Sequence, residues 1–204
     1  MKKMTAEYQK LFEREGKEIE NLSDTISGKE VEELKDLIVN ASNNIFFTGC
    51  GTSAMDAKKI VHTLRVVELK TFFLNPSDAV HGALGVISPG DIVVFISKSG
   101  STKELTSFLP NLKEKNVKIV TVTENPKSEI ALQSDLVTIV KINNELDEFG
   151  LLATTSSLAV ISLFDVIACL IMKESKFTKK QFLINHPSGA VGEKLKNSSN
   201  RDRY

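Results

Sequence analysis

Cysteine is scarce in this 204-residue sequence: Cys50 and Cys169 are too few for a disulfide framework or a thiolate metal cage. Their scarcity predicts a chain of the reducing cytoplasm rather than a secreted one. The three histidines are scattered at positions 62, 81 and 186, so no metal-ligand spacing forms and no metal site is expected. Charge of one sign is not in excess, since 26 Lys+Arg stand against 26 Asp+Glu. That balance excludes the electrostatic footprint of a duplex nucleic-acid binder or an anionic-membrane binder. Residues 1–40 are too acidic for a DNA-binding head, with runs such as Glu18-Ile19-Glu20 and Glu30-Val31-Glu32-Glu33. The start of the chain lacks the apolar stretch of a signal peptide. Internal repeats and interdomain linkers are missing too.

The one long apolar region, residues 151–172, contains Thr154, Thr155, Ser156, Ser157, Ser162 and Asp165. Those polar residues point to a shielded helix of a core or subunit interface rather than a membrane span. Three familiar catalytic signatures are also lacking. No Gly-x-Ser-x-Gly elbow occurs. No Gly-Lys-Ser/Thr triplet completes a P-loop. The run Thr71-Phe72-Phe73-Leu74 ends without the acidic residue that a dinucleotide site needs after its second strand.

What is present is an alternation. Residues 4–40 carry apolar positions at helical spacing, interrupted at Ser27-Gly28. Apolar runs at 44–48, 71–74, 92–96, 118–122 and 136–140 read as buried strands. Helical spacing returns at 54–67, 102–115, 153–173 and 178–184, followed by the turn His186-Pro187-Ser188-Gly189 and an amphipathic stretch at 190–195. Continuous, mainly apolar strands of four to six residues separated by helices predict an α/β fold with a five-stranded parallel sheet flanked by helices. The expected organisation is an N-terminal helical extension over 1–40, one domain over 41–196 and a polar tail over 197–204.

Ligands of open parallel sheets bind beyond the carboxyl ends of the strands. Two turns there are short, rich in glycine and hydroxyls, and open helices: Gly49-Cys50-Gly51-Thr52-Ser53 and Ser97-Lys98-Ser99-Gly100-Ser101-Thr102. Unpaired N–H groups at a helix start, glycines that allow close approach and hydroxyl donors together suit a phosphate. Ser53-x-x-Asp56 and Ser101-x-x-Glu104 equally fit capping boxes. Four titratable residues stand near these turns or at other loop junctions: His81, Glu104, Glu145 and His186. Each has a structural alternative; Glu145 belongs to the acidic run 145–148, a pattern usual for solvated faces. His62 reads as surface.

The two turns, together with Asn75-Pro76-Ser77-Asp78-Ala79-Val80-His81-Gly82-Ala83-Leu84-Gly85, resemble a sugar isomerase (SIS) domain. Gly150-Leu151-Leu152-Ala153-Thr154-Thr155-Ser156-Ser157 and His186-Pro187-Ser188-Gly189-Ala190-Val191-Gly192-Glu193-Lys194-Leu195 narrow the resemblance to the arabinose-5-phosphate isomerase family, from about residue 30 to about residue 196. It implies a homotetramer, a phosphorylated-sugar substrate bound at sites shared between subunits, no cofactor, and interconversion of an aldose phosphate with its 2-ketose phosphate through an enediol. It places substrate-binding groups on Gly51, Thr52, Ser53, Ser97, Ser99, Ser101 and Thr102, and catalytic groups on His81, Glu104, Glu145 and His186. The family usually has lysine where this chain has Thr52, glycine at Ala54 and proline at Ala153. It often carries paired cystathionine-β-synthase-type domains after the sugar domain, and here the resemblance ends without them. Two other readings stay open: a non-catalytic sugar-phosphate sensor, favoured by Thr52, and an isomerase for a hexulose or heptulose phosphate.

Overall fold

The computed structural model of the protein describes residues 2–189, so the stretch expected over 190–195 and the polar tail lie outside the described residues. Helices α1 (Lys2–Glu20), α2 (Leu22–Thr25) and α3 (Gly28–Val39) come first. The interruption expected at Ser27-Gly28 is a helix start, where the Ser27 hydroxyl accepts from the Glu30 N–H at 3.4 Å.

The sheet follows the apolar runs: β1 (Ile45–Thr48), β2 (Thr71–Phe73), β3 (Ile92–Ile96), β4 (Lys118–Thr123) and β5 (Leu136–Ile139). All pairings are parallel, in the order β2-β1-β3-β4-β5. Helix α4 (Thr52–Val66) crosses from β1 to β2, and α5 (Pro76–Ala79) with a 3₁₀ turn at Ala83–Val86 leads to β3. Between β3 and β4 the expected single helix is two, α6 (Lys103–Thr106) and α7 (Leu109–Glu114). Pro110, which has no N–H to donate, sits in the first turn of α7, and fully buried Phe108 stacks on Phe95 at 5.7 Å in the break. A second 3₁₀ turn at Ala131–Gln133 precedes β5, and α8 (Thr155–Glu174) and α9 (Lys179–Asn185) close the described chain.

Strand side chains alternate between two cores. Ile45, Phe47, Ile92, Val94, Ile96, Val120 and Val122 pack with α3, α4 and α8. Phe46, Val93, Phe95 and Ile119 pack with α6, α7 and Ile130 on the opposite face. By length and composition α8 could cross a membrane, with a mean hydropathy of 2.1. Its inner face, including Leu163, Phe164, Ile167 and Ile171, is instead part of the first core. Two polar ties fix it: the Ser157 hydroxyl donates to buried Asp56 on α4 at 2.5 Å, and buried Lys35 on α3 donates to Glu174 at 2.6 Å.

Candidate functional site

From β1 the chain turns one way to β2, then returns past β1 to β3 on its other side. The strand order therefore reverses between β1 and β3, which opens a crevice beyond their carboxyl ends. The two hydroxyl-rich turns flank that crevice.

After β1 the backbone folds tightly onto the start of α4. A Cβ on Gly49 would stand 2.8 Å from the Ser53 carbonyl oxygen and 3.0 Å from that of Ile96, so only glycine fits. Gly51 precedes α4 and offers no side-chain cap. The first-turn N–H groups of α4 have no acceptor within the helix. After β3, the Gly100 N–H donates to the Ser97 hydroxyl at 3.1 Å and the Ser101 N–H to the Ser99 hydroxyl at 3.3 Å. Gly100 has φ +63, and a Cβ there would lie 2.0 Å from the Ser128 hydroxyl oxygen. Neither of the two possible capping boxes forms. Asp56 bonds Ser157 on α8, and Thr102, which precedes α6, makes no side-chain cap.

A cleft of about 570 Å³ lies between the turns, lined by Ser53, Ser97, Ser99 and Thr102 together with Glu124, Asn125 and Lys141. Cys50 lines both this cleft and an adjoining one of about 250 Å³ that holds Gly51, Glu104, Lys58 and Asn75. Thr52 and Ser101 are exposed and line neither. Glu104, in the first turn of α6, is exposed to the second cleft. Burial, and then the charge of Glu104, push the Cys50 thiol upward, which keeps it protonated and a poor nucleophile. Lys58 Nζ rests 4.9 Å above the Phe73 ring.

Glu145 is no solvated acidic residue. Its side chain is 4% exposed. Its carboxylate accepts from Lys98 Nζ at 2.7 Å, from the Thr154 hydroxyl and N–H at 3.1 Å each, and from the Ser156 N–H and hydroxyl at the start of α8. Burial alone would raise its pKa, but Lys98, the Ser156 hydroxyl and these backbone donors outweigh it and bring the carboxyl down to about 2. It is an anchored anion at the positive end of a helix, and a weak base. Helix α1 holds the same loop: Glu18 accepts from the Asn143 N–H at 2.9 Å, and Arg14 donates to the Glu145 carbonyl at 3.0 Å. Lys98, paired with Glu145 at 2.7 Å and Glu124 at 3.7 Å, is therefore a cation already neutralised.

The two histidines sit apart from these groups within the subunit. His81 is exposed in the turn after α5 and lines neither cleft. His186 stacks on Phe182 at 5.5 Å just after α9, and α9 is tied by Asn185 to the Val66 carbonyl. Val66 ends α4, whose 15 residues span about 22 Å from the Gly49–Ser53 turn. His186 thus lies toward the opposite end of the sheet.

Three charged cleft residues were not singled out from the sequence. Glu124 follows β4 directly, Lys141 comes two residues after β5, and Lys58 lies one α4 turn beyond Ala54. The first two were findable by the same rule that found the serine turn, because they too stand past the carboxyl ends of strands.

The sequence matches the SIS domain family over residues 37–170. Among curated relatives, arabinose 5-phosphate isomerase KpsF of Escherichia coli is 32% identical over 181 residues, covering 89% of this chain and 57% of that protein. This chain spans about half the length of the curated relatives it matches. A crystal structure of a candidate sugar-phosphate isomerase from Listeria monocytogenes superposes with TM-score 0.88 at 38% identity, covering 91% of this chain and 97% of that one. The E. coli CFT073 protein c3406, in complex with arabinose 5-phosphate, gives TM-score 0.86 at 29% identity, covering 91% and 98%. With its five-stranded parallel sheet and its match over most of the chain, the protein belongs to the SIS domain family.

Proposed function

We propose that the protein is an aldose–ketose isomerase of phosphorylated sugars, of the arabinose 5-phosphate/ribulose 5-phosphate type. The observation that carries this reading is the pair of hydroxyl-rich turns facing one cleft, with Glu104 next to it across Cys50. In this reading the phosphate lies on the Ser53 and Ser97–Thr102 turns, and Lys141, which has no ion-pair partner among the described residues, supplies the cation that Thr52 does not. Glu104 takes the proton from C2 of the open-chain aldose. The electron pair forms the C1–C2 double bond and the carbonyl oxygen O1 gains a proton, giving an enediol. Loss of the O2 proton forms the C2 carbonyl as C1 takes the proton back from Glu104. A positioned acid or base contributes about 10²–10⁴-fold to such a step. The KpsF and c3406 likenesses support a pentose phosphate; a hexulose or heptulose phosphate is the alternative substrate.

Binding energy from the phosphate positions the reacting carbons. Ser99→Ala is therefore expected to lower kcat as well as raise KM, for a combined loss of about tenfold in kcat/KM with arabinose 5-phosphate. An unchanged kcat/KM would remove the serine turn from the site. A non-catalytic sensor is the second reading, favoured by the full engagement of Glu145 in anchoring α8. Binding of sugar phosphates without turnover of any would establish it.

We place the protein in the cytoplasm as a homotetramer, with His81 and His186 acting across subunit boundaries. Several apolar groups are left exposed by the described residues: Phe149 (81% exposed), Leu151 (82%) and Leu152 (63%) beside the Glu145 loop, and Val166 (53%) on α8. Beside Val166 runs an apolar groove of about 680 Å³, lined by Ile19, Leu22, Ile26, Val31 and Leu170. Sedimentation at micromolar concentration should give about four times the 22.5 kDa chain mass; a monomer would contradict the shared site.

A further inference from the structure

Glu124 is the least satisfied carboxylate of the cleft. It stands at the first position after β4, and its own N–H donates to the Lys98 carbonyl at 3.1 Å, so its backbone is locked to the serine turn. Its side chain is 22% exposed and borders the 570 Å³ cleft and two further hollows, one lined by Ser156 and one by Glu145. Oε1 is buried and has no hydrogen-bond partner among the described residues. Lys98 Nζ is 3.7 Å away, too far for a hydrogen bond, because it closes on Glu145 at 2.7 Å instead. Burial raises the Glu124 carboxyl above the ordinary range; the Lys98 charge and the Ile142 N–H pull it down, and the Glu145 charge pushes it up. A buried acceptor left open is costly unless something donates to it.

The missing donor cannot be the phosphate, which is itself an anion and is repelled by a carboxylate. With Lys141 assigned to the phosphate, a sugar hydroxyl a few ångströms from the serine turn is a donor of the right reach. We propose that Glu124 is a specificity-determining residue that accepts hydrogen bonds from the hydroxyl groups of the sugar chain, fixing the direction in which the substrate lies. The phosphate end meets Ser53, Ser97, Ser99 and Thr102; the hydroxyl end meets Glu124, with Asn125 beside it. This rests on the phosphosugar reading above. A site built around such an acceptor rejects ligands that lack the hydroxyl, since the carboxylate is then left unpaired.

The test is calorimetric titration of the full chain and of Glu124→Ala with arabinitol 5-phosphate and with inorganic phosphate. The sugar alcohol carries the hydroxyls but no carbonyl, so it binds without reacting. Glu124→Ala should weaken arabinitol 5-phosphate about 10–100-fold and leave inorganic phosphate unchanged or tighter. Glu124→Gln, nearly isosteric, should lie between, with an unaltered melting temperature showing an intact fold. If both ligands change by the same factor, or neither changes, Glu124 does not read hydroxyls and the proposal is overturned. If the unsubstituted protein binds arabinitol 5-phosphate no better than phosphate, the phosphosugar reading itself fails, and this proposal with it.

Discussion

Glu104→Gln should lower kcat with the cognate sugar phosphate by about 10²–10⁴-fold while leaving the melting temperature nearly unchanged. The two halves of that expectation have separate causes. Glutamine keeps the shape and hydrogen-bonding reach of the side chain but cannot take a proton from carbon. Glu104 is exposed, and only its backbone carbonyl is used locally, accepting from the Ser107 hydroxyl at 3.1 Å, which the substitution leaves in place. Steady-state kinetics beside a thermal melt would check both. A kcat within a few-fold of the original would remove Glu104 as the base.

Glu145→Gln should show the reverse balance, with the fold as the first casualty. Its carboxylate joins β5's exit loop to the start of α8 and to Lys98 through five donors. The fall in its pKa from 4.5 to about 2 corresponds to about 2–3 kcal/mol of stability, allowing for screening at half-exposed Lys98. For a chain of this size that is about 5–10 °C in melting temperature at pH 7. The folded-state pKa is below the unfolded one, so this stability is present above pH 4.5 and is lost as pH falls toward 2. Melts of both proteins from pH 7 to pH 2 should therefore converge at the acid end. Equal melting temperatures at pH 7, or a gap that widens in acid, would refute the anchoring role.

These two glutamates differ in a way their sequence neighbourhoods do not reveal. Glu104 follows a serine turn within three residues of its cap, and that local pattern is enough to place it at a strand's carboxyl end. Glu145 sits in an acidic run that locally reads as solvated surface. Its burial depends on Lys98, Arg14 and Ser156, which are 47, 131 and 11 positions away. The strands were legible because short, mainly apolar runs have few other uses in a chain of this composition. The break between α6 and α7 was not, because it comes from Phe108 reaching Phe95 across the sheet face while Pro110 starts a new helix. Likewise, the capping-box patterns are real in sequence but idle in the fold. Asp56 is drawn instead to Ser157, 101 residues away. Glu124 and Lys141 needed only the position of two strand ends, and a stricter use of that rule would have found them.

The most direct test of the central claim is proton NMR of the protein in D₂O with arabinose 5-phosphate, then with hexose and heptose phosphates. Deuterium entering at the carbon next to the carbonyl, with growth of the partner ketose or aldose, is the expected result. Tight binding of the same sugars without exchange at that carbon would contradict it and identify the protein as a sensor.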